Sequence, residues 1–169
     1  MSMFHLVKQF HHRFNLPCAD RPVKLKQSLT VRPTRVLLQM DALEANVRAL
    51  RKPTDEAWGR IQMMLEELRE YAEAVYEGDL PAQADALVDL VYFALGTAAM
   101  QGLPWDEIFA AVHCANMQKV PLANNEEGKR LNKLDVRKPE GWTPPDVAGI
   151  LTRYQCTHMG TDDCPECSS

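Results

Sequence analysis

The sequence predicts an all-α fold, an antiparallel helical bundle, from three observations. Apolar residues recur at three- and four-residue steps in four stretches, the period of an amphipathic helix. No stretch shows convincing strand alternation. Aromatic residues are only 7% of the chain and prolines number 11, a pattern of helices joined by stiff loops. The length of 169 residues and 46% hydrophobic content suffice for one domain with a real core. We therefore expect one domain over residues 1–155, followed by a cysteine-rich tail over 156–169.

The first helix is expected over Phe4 to Phe14, where Leu6, Val7, Phe10 and Phe14 share one side and Pro17 follows. Residues 18–33 read as an extended connection. Val36, Leu37, Met40, Leu43, Val47 and Leu50 form the stripe of a second helix, closed by Pro53. Thr54 is an N-cap candidate for a third, with Asp55 and Glu56 in its first turn and Gly78 just past its end. Its expected buried stripe is Trp58, Ile61, Leu65, Leu68, Ala72 and Val75. Pro81 can open a fourth helix reaching about Gln101. Pro104 opens a fifth, with Asp106 and Glu107 in its first turn and Ile108, Phe109 and Val112 on its apolar face. Residues 120–145 read as loop, and a short last helix is expected over Asp146 to Tyr154.

Composition excludes several classes of function. Nineteen Lys and Arg against 23 Asp and Glu give a net charge of −4, the wrong sign for a general nucleic-acid binder. No apolar run approaches the roughly 20 residues that span a bilayer, and residues 1–14 lack the apolar core of a secretory signal. Five cysteines, an odd number unevenly spread, make a poor disulfide framework. A reduced, cytoplasmic protein is the expectation, with neither a nucleic-acid nor a membrane partner.

The informative residues are carboxylates. Glu66, Glu67, Glu70, Glu73 and Glu77 fall opposite the apolar stripe of the third helix. They form either a solvated acidic face or, through Glu67 and Glu70 three residues apart, a grip on one hard cation. The fourth helix sharpens the choice. From Ala86 to Leu95 it is apolar all round except at Asp89, which predicts a helix buried on every side. An acid in that setting needs a partner, whether a cap, an arginine, a proton or a metal. Asp85 lies one turn earlier, and Tyr92 and Gly96 continue the stripe. The connection from Gly78 to Pro81 forces an antiparallel hairpin, so the two acidic pairs can face one another. An all-oxygen cage of this charge suits Mg²⁺, or Mn²⁺, and Mg²⁺ is usually held together with substrate phosphates. Basic residues for the phosphates follow: Asn116 and Lys119 at the end of the fifth helix, then Lys129, Arg130, Lys133, Arg137 and Lys138 in the loop. The alternative for these is an ordinary solvated loop.

The run Glu66-Glu67-Leu68-Arg69-Glu70 resembles the EExxE motif of the MazG-like and phosphoribosyl-ATP-pyrophosphohydrolase-like superfamily of all-α nucleotide pyrophosphatases. Asp85 to Tyr92 is similar to its second acidic helix. The string Val112-His-Cys-Ala-Asn116-Met-Gln-Lys119 resembles the VHxxNxxK helix end of the bacterial and phage branch. Gly128-Lys129 and Lys138-Pro-Glu-Gly-Trp142-Thr-Pro-Pro-Asp146 resemble that branch's tail, and Phe10 to Pro17 carries a weaker echo. The resemblance implies Mg²⁺-dependent hydrolysis of a nucleoside or deoxynucleoside triphosphate to the monophosphate and pyrophosphate, in a nucleotide-pool or house-cleaning role. It implies Glu67, Glu70 and Asp89 as metal ligands and Glu66 as the residue that orients or deprotonates the attacking water. Asn116, Lys119, Lys129 and Lys138 would bind the nucleotide and its phosphates, with Trp142 near the base or the closing tail. It also implies a homodimer or tetramer, the bundle being completed across a subunit interface, as the apolar fourth helix suggests independently. One position departs from the pattern. The family's second pair is ExxD, but three residues before Asp89 stands Ala86, and the nearest acid is Asp85. This leaves open a non-catalytic nucleotide-sensing helical module; a phosphoribosyl-ATP pyrophosphohydrolase is a further reading, disfavoured by the VHxxNxxK and KPEGW features of the other branch.

The tail lies outside that pattern. Cys156, His158, Cys164 and Cys167 have the chemistry of a tetrahedral Zn²⁺ site, while their short spacing favours an unbound tail.

Overall fold

The computed structural model describes residues 1–25, 33–50, 52, 54–122 and 136–158, the last three of these by backbone alone. The described residues form six helices and one short ladder: α1 (Met3–Arg13), α2 (Thr34–Leu50), α3 (Glu56–Glu77), α4 (Leu80–Met100), α5 (Trp105–Met117), β1 (Val120–Pro121), β2 (Val136–Arg137) and α6 (Val147–His158). They fall into two compact units, Arg21–Gly102 and the combination of Met1–Asp20 with Leu103–Ser169.

In the first unit α3 packs against both α2 and α4. Asp55, not Thr54, caps α3, its carboxylate accepting from the Trp58 amide at 3.2 Å. Gly78 closes α3 in the left-handed conformation at φ 70°, where an L side chain is strained. Asp79 then caps α4 through the Ala82 amide, with Pro81 in the first turn. The buried Gln83 amide donates to the Ala74 carbonyl at 3.1 Å and ties the two ends of this hairpin together.

Two expectations about burial fail here. Trp58, Ile61 and Leu68, expected inside, are 48%, 38% and 45% exposed. The face of α3 turned to α2 is instead the polar one. Arg48 reaches Glu66 at 3.3 Å, and Arg69 reaches Asp41 and Glu44, also of α2, at 3.5 and 3.9 Å. Nor is α4 buried on every side. Ala86 and Ala98 are buried, while Leu87, Val88, Val91 and Tyr92 are exposed, Tyr92 at 72%. Among the described residues one flank of α4 packs on α3 while Leu87, Val88, Val91 and Tyr92 stay exposed, so an all-round apolar composition did not mean all-round burial.

In the second unit α1 and α6 each pack on α5. Ser2 caps α1 by accepting from the His5 amide, and Asn15 at φ 52° turns the chain out of it. His11 Nδ1 donates to the Pro17 carbonyl at 2.8 Å, holding the turn that follows. Phe14 and Ile150 are buried here. The ladder corrects the loop reading of 120–145: β1 and β2 pair antiparallel, Val120 with Arg137 and Pro121 with Val136. Two-residue strands are too short to show alternation. Helix α6 starts as expected but continues past Tyr154 to His158, with Asp146 capping it through the Gly149 amide at 2.9 Å.

Candidate functional site

Five carboxylates gather along the α3/α4 hairpin. Glu66 is held: its Oε1 accepts from Gln62 Nε2 at 2.8 Å and from Arg48 Nη2 at 3.3 Å. No hydrogen bond to its Oε2 joins described residues. Glu67, on the α4 side of α3, is half-buried. Its carboxyl is pushed above the ordinary 4.5, first by burial and then by the charges of Glu70, Asp89, Glu66 and Asp85, in that order. All four carboxylates the sequence grouped around Glu67 are therefore near enough to raise it. Glu70 and Asp85 are exposed and Asp89 is half-buried. Arg69 Nη2 lies 3.7 Å from Glu70. Glu67, Asp85 and Asp89 form no ion pair among the described residues.

Among the described residues, no three His, Cys, Asp or Glu side chains converge tightly enough to enclose an ion by themselves. The donor set is nonetheless all oxygen and mutually repelling. It fits a hard cation that keeps several waters and takes few protein carboxylates directly, as Mg²⁺ does.

Two turns before Glu67 on the same side of α3, Arg60 crosses to α4. Its Nε donates to Thr97 Oγ1 at 3.0 Å, its Nη2 donates to the Phe93 carbonyl, and its guanidinium lies 5.3 Å from the Phe93 ring centre. Gly96 leaves room for it, since a Cβ there would stand 2.7 Å from Arg60 Nη2.

The second unit carries the basic residues. Asn116 and Lys119 are half-buried at the end of α5. Lys138 is exposed just beyond β2, its Nζ 4.1 Å from the centre of the Trp142 ring. Trp142 Nε1 donates to the Ala115 carbonyl at 2.9 Å. Lys129 lies outside the described residues, as do Cys164 and Cys167 and the side chains of Cys156 and His158.

Residues 40–116, which include α3, α4 and most of α5, match the family model described as phosphoribosyl-ATP pyrophosphohydrolase. These residues are similar to that family, and the match spans less than half of the chain. A crystal structure of a candidate NTP pyrophosphohydrolase from Exiguobacterium sp. 255-15 shares the fold, with a TM-score of 0.57 and 24% identity over 94% of this chain and 98% of that one. No curated protein matches the chain.

The departure from the superfamily pattern now has a physical setting. Position 86 is 4% exposed, on the flank of α4 that packs against α3, and holds an alanine that fills the interface without charge. Asp85, one residue earlier, is exposed. Among the carboxylates of α4 only Asp89 lies next to the α3-facing flank. Sequence reasoning missed Gln62, Arg48 and Arg60. The 44/48 spacing was a visible i, i+4 signal for Arg48, but its reach to Glu66 depends on how α2 lies against α3. Nothing local marks Gln62 or Arg60.

Proposed function

We propose that this protein hydrolyses a nucleoside triphosphate to the monophosphate and pyrophosphate, using Mg²⁺ or Mn²⁺ held by Glu67, Glu70 and Asp89. Asp85 would reach the ion through water. The observation that carries the reading is Glu67, a half-buried carboxylate whose affinity for a proton is raised by four neighbouring acids and which has no cationic partner among the described residues. Such a group gains most from a divalent cation. The bound ion would neutralise charge on phosphate oxygens and polarise water. Glu66 would supply orientation: with Oε1 bonded to Gln62 and Arg48, its Oε2 would accept a hydrogen bond from the attacking water. Asn116, Lys119, Lys129 and Lys138 are assigned to the nucleotide and its phosphates through the motifs they share with the superfamily. The exposed apolar flanks of α3 and α4 support a homodimer or tetramer.

The test is pyrophosphate release from a panel of nucleoside and deoxynucleoside triphosphates, with and without Mg²⁺, with phosphoribosyl-ATP included because the matching family model carries that description. Mg²⁺-dependent release from a triphosphate is expected. Release from phosphoribosyl-ATP alone would reassign the substrate. Nucleotide binding without release would favour a sensing module, the reading that Ala86 supports.

A further inference from the structure

We propose that Trp142 is a positioning residue that fixes the ammonium of Lys138 for a phosphate group, and is not a surface on which a base stacks. The indole is held at both edge and face. Its Nε1 donates to the carbonyl of Ala115, a buried residue in the last turn of α5, which also accepts from the Gln118 amide at 3.3 Å. One face of its ring carries the Lys138 ammonium at 4.1 Å.

The chain around Lys138 is pinned on both sides. Before it, β2 is hydrogen-bonded to β1. After it, the Trp142 amide donates to the Pro139 carbonyl at 3.2 Å, in a turn that Gly141 permits at φ 73°. Lys119 and Lys138 each sit directly beside the Val120–Arg137 pair, one on each strand's end. Neither ammonium has a carboxylate partner among the described residues. Two cations flanking one ladder attract an oligovalent anion. A long flexible lysine loses rotamer freedom when it binds such an anion, and the ring beneath it has already imposed part of that order. The identity of the anion rests on the pyrophosphohydrolase reading; the role of Trp142 does not.

The experiment uses tripolyphosphate and a nucleoside triphosphate as probes on the full chain, measured by calorimetry without turnover. Lys138 ε-methylene protons are followed by NMR, with K138A identifying the resonance. In the wild-type protein the ring should move those protons upfield. W142F should keep the shift and W142L lose it. W142L should weaken tripolyphosphate binding about three- to fivefold, the range expected of an exposed cation–π contact. It should weaken the nucleoside triphosphate by the same factor, and have no effect once Lys138 is alanine. An unshifted wild-type resonance, additive losses in the double variant, or a W142L loss confined to the nucleoside triphosphate would each overturn the proposal, the last in favour of base stacking. If no triphosphate is hydrolysed while tripolyphosphate binding follows this pattern, the catalytic reading fails and this one stands.

Discussion

Glu67 and Asp89 are where single atoms decide the chemistry. Because burial and four carboxylates raise the Glu67 carboxyl above 4.5, the folded state holds that proton more tightly than the unfolded chain does. Ionising it therefore costs stability, a cost absent at acid pH and complete once the pH has risen past its raised value. E67Q should remove the cost. Melting temperatures of the two proteins, compared without divalent ions, should be closest near about pH 4 and separate in favour of E67Q as the pH rises through that window. A separation that shrinks with rising pH would place Glu67 in a cationic setting instead. The two aspartates of α4 should rank clearly. D89N should reduce Mg²⁺-dependent turnover about 100-fold or more, the usual loss when one electrostatic element of a site is removed. D85N should mainly raise the Mg²⁺ concentration needed for half activity, because Asp85 is exposed and offset from the α3-facing flank. Kinetics across a Mg²⁺ titration check both. The carboxylates were legible because acids in helical register announce themselves. Arg48 and Gln62, which hold Glu66, were not, because their roles arise where α2 meets α3 and not from spacing along one helix.

At the scale of the element, helix ends were read well and helix faces poorly. Gly78, Pro81 and Pro104 mark ends through local backbone chemistry that sequence carries directly. Faces depend on the neighbour. The apolar stripe of α3 was expected inside, yet ion pairs draw its polar side to α2 and leave Trp58, Ile61 and Leu68 outward. The α3/α4 seam makes a sharper demand at Gly96. G96A should push the Arg60 guanidinium off the Phe93 carbonyl, so that the loss of about 1 kcal/mol from that hydrogen bond offsets the gain of about 0.5–1 kcal/mol that alanine brings inside a helix, and stability does not rise. Urea unfolding of G96A, R60M and the double variant checks it. The double variant should be more stable than R60M by about 0.5–1 kcal/mol, since the helix gain of alanine is realised once Arg60 no longer occupies the space.

At the scale of the whole molecule, the open apolar flank of α4 is the feature that asks for a second chain. Leu87, Val88 and Val91 are 45%, 64% and 53% exposed, and with Trp58, Ile61 and Leu68 of α3 they leave the unit Arg21–Gly102 far from apolar closure. Light scattering at micromolar concentration should find a dimer or tetramer, and V91E should dissociate it with helical content retained. A monodisperse wild-type monomer would contradict the assembly. The way α2 is attached has a separate consequence. It buries little beyond Leu37 and Val47 and is otherwise fastened to α3 by Arg48 and Arg69, charges that dissolved ions weaken, whereas the α3/α4 seam is closed by alanines, a glutamine and an arginine bound to a carbonyl. Amide protons of α2 should therefore exchange with solvent deuterium faster in molar salt while those of the α3/α4 seam keep their protection, so that the Glu66 anchor loosens with ionic strength before the hairpin that carries it does.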